Sequence, residues 1–598
     1  MAKTEPELNP TDTEVIPADS KATETVEMFG AKNFAPPAER LPGSKFKQIM
    51  HGYWAKKKWT LPLTFILIIG VILSVPASRY PVLGLFLKSD YSVKVIDATT
   101  KKPVTNVTLL LGDVTAKTDS KGEARLKSKV GTVNLTATKK YYKASNTAVL
   151  VPIKQKGPAY VVSIRATGRQ VPIAITNKIT GKPISGAVVS ASGTEAKTDS
   201  QGKLVLVLPA DQATVAATIT ASGFNDAKLT VQVSEQVLPA NAVQLVTSGK
   251  IYFLSKLSGK IDVVKTNLDG SDRQTVLAGT GKEQNGDTIM LAARDWKYLA
   301  LKSLRDGGSK AKLFLIDTST DKLTTIDEGN AFFEAVGWSD HHFVYKVERE
   351  EKEIWQPGGQ ALKSFNAESG KLAVLEETDG EGTGQYDYAF NRFDQVYLLE
   401  NEVVFYKNWS SGFYNSSKLS GKQIKLTSVK PDGTGKKTIR EFPVPENTSY
   451  YSIQSSLYAP QELYVQVPPA AGTDNNPTYF EYENGKIAVK NDVTSQQFNS
   501  PYPTYLESPS GKQTAWSEDR DGKSIVFIGD KNGEDEKEVA SLSEYTPYGW
   551  YSDEYILVSK KGSELYIMPT TGGPLLKVTD YHKPEFNFRG YGGGYGGL

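Results

Sequence analysis

Four histidines, no cysteine and a few acidic turns are all that this chain of 598 residues offers toward metal or nucleophilic chemistry. His341 and His342 are adjacent, and neighbouring side chains on a strand point to opposite faces, so the pair suits a hairpin tip better than a metal site. His51 precedes a long apolar run, and His582 lies near the chain end. The turns Asp519-Arg520-Asp521-Gly522 and Asp530-Lys531-Asn532-Gly533 resemble pieces of a calcium loop, but neither leads into a ligand series closed by a bidentate glutamate. Gly-x-Ser-x-Gly elbows, phosphate-binding glycine loops and metalloprotease helices are absent from the sequence. We therefore expect no enzyme, no cofactor and no metal. One stretch is composed like a binding loop: Tyr406 to Asn415 (YKNWSSGFYN) mixes rigid aromatics with small hydrogen-bonding residues. Trp409, Phe413 and Tyr414 are the candidate ligand-binding residues, suited to a sugar or a peptide. The competing expectation is that these aromatics only cover a rim.

The element that places everything else is Trp59 to Ser78, 20 residues without a charge. Such a run is long enough to cross a bilayer as one helix. Lys45, Lys47, Lys56, Lys57 and Lys58 precede it, which orients the N-terminus toward the cytoplasm. The 58 residues ahead of it argue for an uncleaved anchor over a cleaved signal peptide. Residues 1–43 are poor in apolar side chains and form an expected disordered cytoplasmic tail. In residues 44–58, Phe46, Ile49, Met50, Tyr53 and Trp54 share one helical face with lysines around it, a basic amphipathic helix for the inner leaflet. The net charge of +3 points to no nucleic acid, because the basic cluster abuts the apolar run. Absence of cysteine favours a prokaryotic envelope, where the domains would be held by packing alone.

Past the anchor comes an internal repeat. Residues 98–122 and 178–202 align without a gap at an offset of 80, with Lys102-Pro103 matching Lys182-Pro183 and Ala116-Lys117-Thr118-Asp119-Ser120 matching Ala196-Lys197-Thr198-Asp199-Ser200. Alternating apolar stretches around these turns, such as Val93-Lys94-Val95-Ile96, predict two small all-β modules over 89–168 and 169–248. The pattern in Ile175 to Val189, then Thr198-Asp199-Ser200-Gln201-Gly202 and Gly223-Phe224, resembles the carboxypeptidase regulatory-like, or transthyretin-like, β-sandwich, with Asn177 where that pattern has Asp. The resemblance implies a sandwich fold and a stalk or carbohydrate-binding-like role. Related Cna-B-type adhesin modules cross-link a Lys to an Asn near a Glu. Lys94, Glu123 and Asn146 stand at comparable places in copy one, but Ala174 and Lys203 break the set in copy two.

From residue 249 to 584 a different period takes over. Seven turns marked by Gly270, Asp321, Gly370, Gly433, Gly485, Gly533 and Gly573 are spaced by 51, 49, 63, 52, 48 and 40 residues, each next to β-prone segments. That is one propeller blade per repeat. Trp338-Ser339-Asp340, Trp516-Ser517-Glu518-Asp519, Trp550-Tyr551-Ser552-Asp553 and Asn267-Leu268-Asp269-Gly270 resemble the blade motifs of TolB-like and dipeptidyl-peptidase IV N-terminal β-propellers. In the prolyl oligopeptidase group a similar propeller accompanies a hydrolase domain, for which the 14 residues after Pro584 leave no room. Residues after Thr579 are expected to complete the first blade and close the ring, and 585–598 form a flexible Gly/Tyr-rich tail.

The fold class expected is thus mainly β: one transmembrane helix, two tandem β-sandwich modules and a roughly seven-bladed β-propeller. The function expected is that of a membrane-anchored surface binding, adhesion or scaffold protein whose partners are the lipid bilayer and an extracellular protein or polysaccharide. Two alternatives stay open: a transmembrane sensor whose tail meets a cytoplasmic partner, and a propeller enzyme with an unrecognised site.

Overall fold

The computed structural model describes residues 50–582 apart from 51–52, 56, 234–240, 354, 385, 400, 413–415, 460–461, 470–475, 496–497, 499–505 and 542–544. The tails expected at 1–43 and 585–598, and most of the amphipathic helix expected at 44–58, lie outside these residues. The chain divides into two compact units, Met1–Lys88 with Lys129–Thr132, and Ser89–Ser128 with Val133–Leu598.

In the first unit the apolar run makes two helices, α1 (Lys57–Ser74) and α2 (Pro76–Leu83). The single helix expected over Trp59–Ser78 is therefore corrected. Val75 is extended at φ −91° and ψ 119°, as a residue ahead of proline prefers, and Pro76 has no amide hydrogen to continue the ladder. The uncharged part of α1 is about 24 Å long at 1.5 Å per residue, against about 30 Å of bilayer hydrocarbon. Among the described residues no helix is long and apolar enough to cross a membrane.

The second unit is mainly β and begins with the two repeat copies. In copy one, Glu123–Lys129, Lys88–Asp97, Tyr160–Ala166 and Tyr142–Lys143 form one sheet, and Val114–Lys117, Thr108–Leu111, Gly131–Thr138 and Ser145–Val151 another. Val93, Val95, Leu109, Leu111, Leu135 and Ile164 meet in their common core. Copy two repeats the scheme, with Val171, Ile173, Ile175, Val189, Leu206 and Ile219 buried together. In both copies the first strand pairs in parallel with the last: Val93–Asp97 with Tyr160–Ile164, and Ile173–Asn177 with Asn241–Leu245.

The repeated residues do the same work twice. Thr118 donates its hydroxyl to the Val104 carbonyl at 2.9 Å and accepts from the Val107 amide, and Thr198 does likewise with Ile184 and Ala187. Asp119 accepts the amides of Lys121 and Glu123, and Asp199 those of Gln201 and Lys203. Gly122 and Gly202 have φ of 72° and 68°, and a Cβ there would come within 2.7 and 2.4 Å of a carbonyl oxygen on the first strand. Only glycine suits both demands. Of the cross-linking set, Lys94 pairs with Glu123 at 3.1 Å, whereas Asn146 lies exposed on Ser145–Val151 in the other sheet.

Seven antiparallel sheets follow among the described residues, each a meander of consecutive strands. All seven turn markers adopt positive φ, from 57° at Asp321 to 146° at Gly573. Successive sheets share cores: the second with the third through Ala300, Leu315, Phe333 and Tyr345, the third with the fourth through Val344, Leu362, Phe393 and Phe405, the fourth with the fifth through Tyr406, Leu426, Leu463 and Phe480, and the sixth with the seventh through Ala515, Val526, Trp550 and Ile556. The first sheet (Ile251–Ser255, Asp262–Thr266, Gln274–Leu277) shares one core with the second and the last. The last strand, Leu576–Asp580, belongs to the seventh sheet and does not complete the first, which keeps three strands. Side chains join the two sheets instead: Arg273 donates to Thr579 and Asp580, and Ser255 to Asp580 at 2.8 Å. The Trp296 indole of the second sheet's hairpin donates to the Trp550 carbonyl of the seventh at 2.9 Å, spanning the place of the missing strand.

The second module is fastened at that place. Ile179 is 2% exposed within the core shared by the first, second and last sheets. Asn177 donates to the Tyr555 hydroxyl at 2.9 Å, and Lys178 pairs with Asp269 at 2.6 Å. Ile179→Ala is expected to cost about 2–4 kcal/mol at this junction. Limited proteolysis of that variant should open the link around Thr247–Gly249 while each repeat copy stays resistant; unchanged cleavage would show that Ile179 does not hold the junction.

Candidate ligand-binding surfaces

Trp409 lies near the end of the strand Glu402–Ser411 and is 6% exposed, inside the core between the fourth and fifth sheets. Its indole donates to the Gln423 carbonyl at 2.9 Å, and the Lys422 ammonium sits 4.9 Å from its ring centroid. As placed, this ring packs and caps a strand; it has no face free for a ligand. Phe413 and Tyr414 lie outside the described residues. A second group of aromatics lies next to this stretch. Trp355 and Tyr388 stack at 4.8 Å, and Tyr386 is 66% exposed at the turn of the Gly380–Gly384 hairpin. A Cβ at Gly382 would come within 2.5 Å of Tyr388 and 2.9 Å of Trp355, so this glycine lets the two rings close on the backbone. The sequence signal was there in the alternating GEGTGQYDY from Gly380, and its aromatics were not singled out.

The two adjacent histidines separate as strand geometry requires. His342 meets Asn366 at 3.0 Å. His341 is held between Asp295, 2.9 Å from Nε2, and Glu368, 2.7 Å from Nδ1, and so joins the second sheet to the third. Among the described residues no group of three or more metal-ligating side chains is arranged to hold a metal ion. Burial works against an imidazolium at His341, but the Asp295 hydrogen bond and the charges of Asp295, Asp340 and Glu368 outweigh it and raise the pKa.

A cleft of about 930 Å³ opens between the two repeat copies. Copy one supplies Lys117, Lys139 and Lys140, and copy two supplies the turn Ser190 to Glu195 with Thr218 and Lys228. No residue lining it is aromatic. Its walls are braced by Asn106, which donates to Glu195 at 2.7 Å, and by Lys140 and Tyr141, which donate to the Ser192 carbonyl at 2.7 and 3.3 Å. Lys139 donates to the Thr105 carbonyl at 2.6 Å. Burial of this ammonium lowers its pKa to about 8, with the Glu195 charge opposing the shift. Sequence reading missed the cleft because its two walls lie about 80 residues apart and neither is distinctive alone.

No known protein family matches the sequence, and no curated protein matches it either. Among solved structures the chain is similar to the β-propeller domain of the Trilobed protease from Pyrococcus furiosus (13% identity, 63% of this chain and 95% of that one, TM-score 0.30). It is also similar to oligogalacturonate lyase from Vibrio parahaemolyticus (12%, 56% and 85%, TM-score 0.29) and to TolB from Acinetobacter baumannii (11%, 56% and 81%, TM-score 0.25). At these scores none of the likenesses carries an argument about what the chain does.

Two pH dependences follow. For Lys139 the unfolded chain holds the extra proton between about 8 and 10.5, so folding stability rises with pH across that window. Wild type should therefore gain stability relative to Lys139→Met from pH 8 to 10 in denaturant titrations; a flat difference would mean an unshifted lysine. His341 has the opposite sign. Its raised pKa contributes stability that is complete below the ordinary value of 6.5 and is lost as pH rises through the folded value. His341→Gln should abolish that part of the pH profile, and an unaltered profile would remove His341 from its origin.

Proposed function

We propose that this chain is a non-catalytic, membrane-anchored surface protein that presents a β-propeller on a stalk of two β-sandwich modules and recognises a protein or polysaccharide outside the cell. The observation that carries the reading is the surface of α1. Trp59, Leu61, Leu63, Phe65, Ile66, Leu67, Ile68 and Val71 are exposed by 50–81% on a helix that is apolar all round. In water such a helix would lack a favourable face, and lipid supplies one on every side. Lys58 at its start would reach anionic headgroups on the cytoplasmic side.

Two further observations support the arrangement beyond the anchor. Among the described residues, cores shared by every pair of neighbouring sheets except the fifth and sixth, together with the contacts of the first sheet to the last, support a ring of seven sheets. The Asp97 and Asn177 turns each hydrogen-bond the unit that follows, through Gln170 and Tyr555, which supports a stiff spacer over loosely strung beads.

The test is fractionation and surface proteolysis of cells producing the full chain. Wild type is expected in the membrane fraction, with the sheets after residue 250 cleaved by protease added outside. Ile68→Arg, worth about 2.5–3.5 kcal/mol against insertion, should shift the chain toward the soluble fraction. A soluble wild type, or a membrane-bound chain whose C-terminal half is protected outside and digested only after lysis, would overturn the proposal.

A further inference from the structure

The cleft between the repeat copies departs from the repeat where it matters for a ligand. At the offset of 80, Leu110-Leu111-Gly112-Asp113-Val114 of copy one corresponds to Ser190-Ala191-Ser192-Gly193-Thr194 of copy two. The hairpins themselves are equivalent, since Leu111 pairs with Val114 and Ala191 with Thr194. What differs is chemistry: a carboxylate and bulky apolar side chains in one copy, hydroxyl-bearing and small side chains in the copy whose turn lines the cleft. Leu110 is 41% exposed, so an outward leucine is tolerated by the fold at this position. The fold alone therefore does not require Ser190.

The second observation is charge. Four lysines line the cleft against one carboxylate, Glu195, which already accepts from Asn106. Lys139 and Lys140 each spend a hydrogen on a backbone carbonyl, while Lys117 and Lys228, one on each wall, are exposed and make no ion pair among the described residues. With no aromatic ring in the lining, neutral sugar faces find nothing to stack on. The volume lies near the top of the range of about 300–1,000 Å³ for sites that take ligands far larger than a single oxyanion.

We propose that this cleft binds a flexible polyanion whose phosphate or carboxylate groups recur along its chain, with Lys117 and Lys228 pairing with successive oxyanions. The site lies outside the ring of sheets and does not depend on what that ring recognises.

The experiment is calorimetric titration of the detergent-solubilised full chain with inorganic polyphosphate, with polygalacturonate and with neutral dextran, at two salt concentrations. One or both polyanions should bind, more weakly at higher salt, and dextran should not. Lys117→Gln/Lys228→Gln should weaken binding about tenfold or more, in line with loss of two charge-assisted contacts. Both lysines are exposed, so an unchanged melting curve will show that this variant folds. Binding of polyphosphate alone identifies phosphate as the anion, and binding of polygalacturonate alone identifies carboxylate. The proposal fails if neither polyanion binds, if the double variant binds both as well as wild type does, or if dextran binds equally.

Discussion

One hydrogen-bonding device holds the second unit in series, and it sits at the same place in both repeat copies. Asp97 accepts the amides of Thr99 and Thr100 with one oxygen and the Gln170 side chain with the other; Asn177 accepts the amides of Ile179 and Thr180 and donates to Tyr555. Each side chain closes its own turn and grips the following unit in the same act. With no cysteine in the chain, no covalent link backs these contacts. The exchange of Asp for Asn fits the partner: a carboxylate can only accept from the Gln170 amide, whereas an amide can donate to a tyrosine oxygen that also meets Thr247.

The succession of sheets solves a related problem, since every sheet must cover both faces without disulfides. Strands such as Ile251–Ser255 are buried along their whole length, because neighbouring sheets pack on either side. That is why alternation is clear in the two repeat copies, where one face of each sheet looks outward, and fades after residue 249. At the incomplete first sheet the covering comes from elsewhere: Trp296 reaches across to Trp550, and Ile179 enters the same core from the preceding module. The three-stranded sheet is thus also the attachment point, and the module and that sheet share one core.

This coupling also bears on the cleft. Lys140 and Tyr141 bind the Ser192 carbonyl, so the turn that supplies the cleft's hydroxyls also braces the two copies. A site built across a braced junction keeps its lysines at a fixed spacing, which a freely hinged pair of modules would not do. Lys139, partly withdrawn from water by burial, has its pKa lowered to about 8 there.

Short-range conformational demands were legible in the sequence alone. The Thr-Asp-Ser-x-Gly turns, the glycines at 122 and 202, and the seven markers from Gly270 to Gly573 announce themselves because positive φ and close backbone approach admit few residue types. The break in the apolar run at Val75-Pro76 was equally local and was passed over in favour of the absence of charge. Tertiary structure alone decided the rest. Whether Trp409 faces solvent or core depends on Gln423 and on the sheet beyond it, and whether four lysines form a cleft depends on two modules meeting. The physical reason is that contacts between residues far apart in the chain leave no periodic trace in either partner, so the pairing exists only once the fold has brought them together.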